Sequence, residues 1–288
     1  MSLFKSLLSR RQASELPAQS ITRRTVRFVH GGQTPRHWYR GWPHVTRFFD
    51  GLSLMFPQGE RLFIDSVVHF RGFISPDSAL GQQVQDFVYQ EASHIREHQA
   101  YNQRLANQGV PVADFERLLA RRKNTTQRLP PVVQLALTAS LEHLTAIISD
   151  QLLSNPRVLA EVDPDMADLW RWHALEETEH KAVAFDVLCA VESRPIRRYL
   201  LRCIAMLSVA VCFAYDVLYF IHALARADRQ TRHWRGWLRL FGWLLVSPGI
   251  FIRTLPAWLF WFVPGFHPNR IDSRETLQAA RRAFDARR

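Results

Sequence analysis

The stretch 172-WHALEETEHKAVAFDV-187 sets two histidines and three glutamates within eight residues and then runs on into apolar sequence. On an α-helix, positions i, i+4 and i+7 share a face, so His173, Glu177 and His180 line up with Trp170, Ala184 and Val187. That stripe is the one a helix turns toward a core. Glu176 and Glu179 are expected at its sides, open to solvent. A charged helix face with core histidines is the ordinary alternative. An E-x-x-H on an apolar stripe, with a further histidine one turn earlier, points instead to metal ligation.

A second E-x-x-H lies upstream. In 87-FVYQEASHIREHQAY-101, Glu91 and His94 fall on the face marked by Leu80, Val84, Phe87, Tyr101 and Leu105, and His98 follows one turn on. Two such helices each supply one bridging carboxylate and one imidazole to a dimetal bundle, and two further helices each supply a glutamate. Glu142, in 135-LALTASLEHLTAI-147, sits among Thr138, Ala139, Thr145 and Ala146, small residues that leave room for a metal, a water or a substrate. Glu60 leads 59-GERLFIDSVVHFRG-72, where the helix dipole alone also favours an acid. Unpaired carboxylates in a dry core are costly, so four buried glutamates need metals or neutralisation.

The order Glu60, Glu91/His94, Glu142, Glu177/His180, over about residues 55–192, resembles the ferritin-like di-iron carboxylate superfamily. QExxH-xxx-H at 90–98 and WHxxEExEHK-xVAFDV at 172–187 are similar to a bacterial family labelled predicted metal-dependent hydrolase, and that likeness covers most of the chain. His173 also resembles the extra histidine of di-iron arylamine N-oxygenases, which implies an additional ligand. The resemblances assign no role to His98, which is open to ligation, an outer donor role or packing.

The expected fold is all-α: a ferritin-like four-helix bundle with a dimetal core, plus a C-terminal hydrophobic helical subdomain. Residues 1–54 read as a basic arm and packing segment, 55–192 as the bundle, and 193–288 as a hydrophobic, basic helical region. Breaker and capping signals place a first helix after Pro57 and a long one from about 76 to 107, capped around Ser75-Pro76-Asp77. A short helix follows near 112–122, then 131–154 behind Pro130-Pro131 and 164–192 behind Asp163.

Four carboxylates and two imidazoles suit a hard dinuclear centre of two metal ions. Iron fits best, manganese next and zinc less well. The bundle pattern favours an O2-using oxidase or oxygenase acting on a lipophilic or small organic substrate with an external electron donor. The alternatives are a metal-dependent hydrolase, as the resembled family is named, and a metal-holding bundle without turnover. No G-x-S-x-G, P-loop or G-x-G-x-x-G competes, and Gly31-Gly32-Gln33-Thr34 is too short for a phosphate loop.

The chain is 47% hydrophobic and 22% charged, which excludes a disordered protein. Lys plus Arg is 37 against 26 acids, a net charge of +11 that is almost all arginine and favours anionic partners. Cys189, Cys203 and Cys212 form no CxxC pair, sit in apolar helical sequence and read as reduced core thiols of a cytoplasmic protein. Residues 1–20 are weakly amphipathic and basic, without the apolar run of a signal peptide. Arginines flank the apolar segment 203–225 on both sides, and Trp234 and Trp237 join the later group. This reads as headgroup contact with an anionic membrane surface, not as nucleic-acid binding. The segment is long enough to span, but Asp216 and the basic residues at both ends argue for a subdomain peripheral to, or embedded in, the inner leaflet.

Overall fold

The computed structural model describes residues 20–28 and 34–287; the expectations for residues 1–19 and for the Gly31-Gly32-Gln33 turn fall outside them. Among the described residues there are ten α-helices and no strand. They are α1 Pro43–Val68, α2 Ala79–Asn107, α3 Val112–Thr126, α4 Pro131–Ser154, α5 Pro164–His180, α6 Val183–Val191, α7 Pro195–Ala227, α8 Trp234–Leu245, α9 Ile250–Phe260 and α10 Arg274–Asp285. Helix α1 packs on α2 and α4 on α5, while α7 lies against both α1 and α4.

The first helix corrects an expectation. It begins at Pro43, not after Pro57, and so runs across the boundary placed at residue 54. Pro57 lies inside it and has no N–H to give the Ser53 carbonyl. Asn102 of α2 supplies the missing donor, its Nδ2 lying 3.0 Å from Ser53 O. A side chain from a neighbouring helix thus lets α1 pass through a proline that ordinarily marks a start.

Helix α2 is capped by Ser78, whose Oγ accepts from Gly81 N at 3.0 Å, three residues later than expected. A Cβ on Gly81 would come within 2.2 Å of Ser75 O, so the incoming Ser75-Pro76 turn requires glycine there. Pro131 opens α4, and Asp163 caps α5 by accepting from Met166 N at 3.1 Å. The single helix expected over 164–192 is two, interrupted at Lys181-Ala182. There the Lys181 ammonium is buried and donates to Ile271 O at 2.7 Å and Ser273 Oγ at 3.1 Å, tying the break to the chain's C-terminal segment.

Charges also hold the fold together. Asp228, at the end of α7, accepts from Arg36 and from Arg47 (2.7 Å each) and faces His37 at 3.1 Å. Arg47 is fully buried and also donates to Asp50 at 2.6 Å. The N-terminal segment, α1 and the end of α7 are fastened at this one knot. The cysteines are not in the core as expected: Cys189 and Cys203 are half-buried, and Cys212 is exposed on the open side of α7 beside Val211.

Candidate metal centre

Helices α1, α2, α4 and α5 turn Glu60, Glu91, His94, Glu142, His173, Glu177 and His180 toward one another, each at most 3% exposed. Two groups have ligand-type atoms close enough to hold an ion: Glu60, His94, His173 and Glu177, and Glu91, Glu177 and His180. Glu142 lies against the second, its Oε2 3.3 Å from His180 Nε2. Glu177 belongs to both groups. Its Oε1 is 3.3 Å from His173 Nε2 and 3.5 Å from His94 Nδ1, while its Oε2 is 3.6 Å from His180 Nε2. Glu91 spans the same gap, with Oε1 3.2 Å from His180 Nε2 and Oε2 3.9 Å from His94 Nδ1. Glu60 stands on the His94 side, at 4.0 Å.

The polar atoms gathered here are close without being bonded. Both oxygens of Glu60, Glu91 and Glu142, both nitrogens of His94 and Nε2 of His180 find no hydrogen-bond partner among the described residues. Buried polar groups are normally satisfied, and a cluster left unsatisfied at one point calls for an ion or for protons. Burial and the neighbouring carboxylates push Glu60 and Glu91 well above the usual carboxylate range. Burial raises Glu142 to about 7, against the pull of His180. At Glu177 burial is outweighed by His180, His173 and His94, which hold it ionised. Burial pushes His94 down to about 3 and His173 well below its ordinary value, so both rings are neutral and carry a free lone pair. His180 goes the other way: Glu142, Glu177 and Glu91 overcome its burial.

A surrounding layer faces the outer nitrogens of the two rings. Gln90 Oε1 lies 2.9 Å from His180 Nδ1, and Glu176 Oε2 lies 3.2 Å from His94 Nε2. The two E-x-x-H motifs therefore support each other reciprocally: the residue just before the glutamate of one faces the histidine of the other. Arg24, from the N-terminal segment, joins these supports, donating to Glu179 at 2.6 and 2.8 Å and to Glu176 at 3.4 Å. Gln90 Nε2 donates to the same Glu179 at 2.9 Å, and Arg281 of α10 reaches it at 2.8 Å. On the remaining side, Thr145 Oγ1 donates to Glu177 Oε2 at 2.7 Å.

All seven expected ligand residues are thus brought to one place. His98 lies behind them: its Nε2 is 3.1 Å from His173 Nδ1 and its Nδ1 3.0 Å from Ser53 Oγ, so it orients His173. Glu176 and Glu179 depart from expectation. They are buried, not solvated, because residues 20–28 and α10 cover that side of α5. The roles of Gln90 and Arg24 were not anticipated, and Thr145, expected to leave room beside Glu142, instead hydrogen-bonds Glu177; for Gln90 and Glu176 the position preceding each E-x-x-H glutamate was the available signal. A cleft of about 330 Å³, lined by Asp65, Ser66, His69, Gln127 and Gln134, opens near the end of α1. Ser66 there donates to Thr138, one turn before Glu142.

A family model described as "Predicted metal-dependent hydrolase" matches residues 22–272. The chain belongs to that family. No curated protein and no solved structure matches it. For a metal-dependent hydrolase, the buried Glu/His cluster is the set of residues suited to hold the metal. The family description supports hydrolysis, the alternative expected from the sequence, and gives no support to the oxygen chemistry placed ahead of it.

Proposed function

We propose that this protein is a dinuclear metal-dependent hydrolase whose two ions are held by the cluster, within a ferritin-like arrangement of α1, α2, α4 and α5. The concentration of unpartnered carboxylate and imidazole atoms at one buried point carries the reading. Glu60, His94 and His173 would hold one ion, Glu142 and His180 the other, with Glu91 and Glu177 shared. When bound, two such cations lower the pKa of a shared water and polarise an ester or phosphoester oxygen. The chain's own residues prepare that chemistry. Gln90 hydrogen-bonds the outer nitrogen of His180, Glu176 lies against the outer nitrogen of His94, and Thr145 steadies the Glu177 oxygen nearest His180. The four-helix enclosure keeps bulk water out.

The test is hydrolysis of ester and phosphoester panels by protein stripped of metal and reloaded with iron, manganese or zinc, without a reductant. Turnover that depends on metal and is lost in Glu91→Ala and Glu177→Ala supports the proposal. Metal-loaded protein inert on the whole panel contradicts it. A second reading, an O2-using oxidase or oxygenase drawing on an electron donor, is favoured by the carboxylate-rich donor set, which suits iron. Oxygen uptake by the reduced, iron-loaded protein in place of hydrolysis would select it.

A further inference from the structure

We propose that α7, α8 and α9 form a docking face for an anionic lipid surface, with α7 lying along the headgroup region and not crossing the bilayer. Two helices are long and apolar enough to span, but they are disposed differently. Helix α4 has 61% of its apolar window buried inside the protein, whereas α7, of mean hydropathy 2.1, has 33%. One side of α7 is core: Met206, Val209, Val217, Phe220 and Leu224 are buried where the helix meets α1 and α4. The other side carries Ile196, Leu200, Ile204, Leu207, Val211 and Tyr215, each 51–75% exposed and spaced by three or four residues. A helix backed by the bundle along its length cannot be ringed by lipid. It can sink its open side into a surface.

The neighbouring helices extend that apolar character. Trp234, Leu238 and Phe241 on α8, and Ile252 and Leu259 on α9, are likewise exposed, and the pair is bent by 41°. Charge identifies the occupant. Between the buried Arg202 and Arg226, the only charged residue of α7 is Asp216, and it is paired with Arg122 of α3. Over 192–266 there are ten arginines against three acids, Glu192, Asp216 and Asp228, each of them in ion pairs, Glu192 with Arg194 and Arg197. Arg226, Arg229, Arg232, Arg235, Arg239 and Arg253 are exposed. Anionic headgroups complement an apolar strip edged by arginine and tryptophan. A second copy does not, because α7 is basic at both ends and a twofold pairing in either direction sets arginine against arginine.

The experiment is flotation of the full chain with phosphatidylcholine vesicles with and without 30 mol% phosphatidylglycerol. Binding is expected to the anionic vesicles. Each arginine that reaches the surface contributes about fivefold in affinity, so high salt or neutral vesicles should reduce binding by an order of magnitude or more. A Leu207→Asp/Val211→Asp variant alters only exposed positions, should melt like the parent, and should lose flotation. Washing membranes of expressing cells with carbonate at high pH should release the protein. Absence of flotation, or flotation unaffected by the double variant, overturns the proposal. So does retention after carbonate, which would mean a spanning α7, or a dimer that the double variant splits, which would mean that a second copy covers the face.

Discussion

Changing Glu176 to glutamine tests the reciprocal support of the two motifs. Glu176 is fully buried, with Oε2 3.2 Å from His94 Nε2 and Oε1 3.4 Å from Arg24 Nη1. It faces the nitrogen of His94 that points away from Glu177 and Glu60. Glutamine keeps the size and an acceptor oxygen but removes the charge that strengthens the ring as a donor. Partners of this kind are worth about 10–100-fold in metal affinity, or about 1.4–2.7 kcal/mol. The loss should fall on the ion held with His94, while the ion held with His180, whose ring is fixed by Gln90, should change by less than about threefold. The metal-free protein should barely notice. Burial raises the Glu176 carboxyl to about 8 against the pull of Arg24, so without an ion its charge is weakly held and glutamine is a near substitute; a cation at His94 is what would draw that charge out. The change in metal-free stability should therefore stay within about 1 kcal/mol. Competition against a chromophoric chelator resolves the two affinities, and urea melts of stripped protein give the stability. Gln90→Leu should produce the mirror result, weakening the His180 ion alone. If E176Q weakened both ions equally or neither, or if both variants struck the same ion, the reciprocal arrangement would be wrong.

Two further predictions concern the scaffold. Asn102→Ala should cost about 1–3 kcal/mol, because it strips the Ser53 carbonyl of the donor that replaces the N–H Pro57 lacks. Adding Pro57→Ala should recover at least half of that loss in urea melts, and independent, additive effects would refute the link. Burial works to raise the Asp228 carboxyl, but His37, Arg47 and Arg36 outweigh it and hold it well below the ordinary value of about 3.9. Its stabilisation is therefore complete above about pH 5 and fades as acid titrates it in the folded state. Asp228→Asn should cost about 3–5 kcal/mol at pH 7, since it breaks a buried pair with Arg47. That deficit should shrink as the pH falls below about 4, and one that stayed constant from pH 7 to pH 3 would contradict the assignment.

The converging glutamates and histidines were legible because E-x-x-H on an apolar stripe is a local pattern: spacing alone puts Glu91 with His94 and Glu177 with His180 on one face. The supporting residues were not, because their burial is set from far along the chain. Glu176 and Glu179 look solvated on a helical wheel until Arg24, more than 150 residues away, and Arg281 close over them. Pro57 has the ordinary sense of a helix start, and only Asn102 on the next helix overrides it. The break at Lys181 carries no glycine or proline to announce it. Composition shows α4 and α7 alike as apolar helices, and only packing separates the enclosed one from the one with an open side.

The central claim is that the seven converging side chains hold metal. Elemental analysis of protein purified without added metal, beside Glu91→Ala and Glu177→Ala, tests it most directly, because those two carboxylates span both halves of the cluster. The account predicts about two ions per chain in the parent and loss of both in either variant. A parent without bound metal when loaded with iron, manganese or zinc, or metal retained undiminished in both variants, would contradict it.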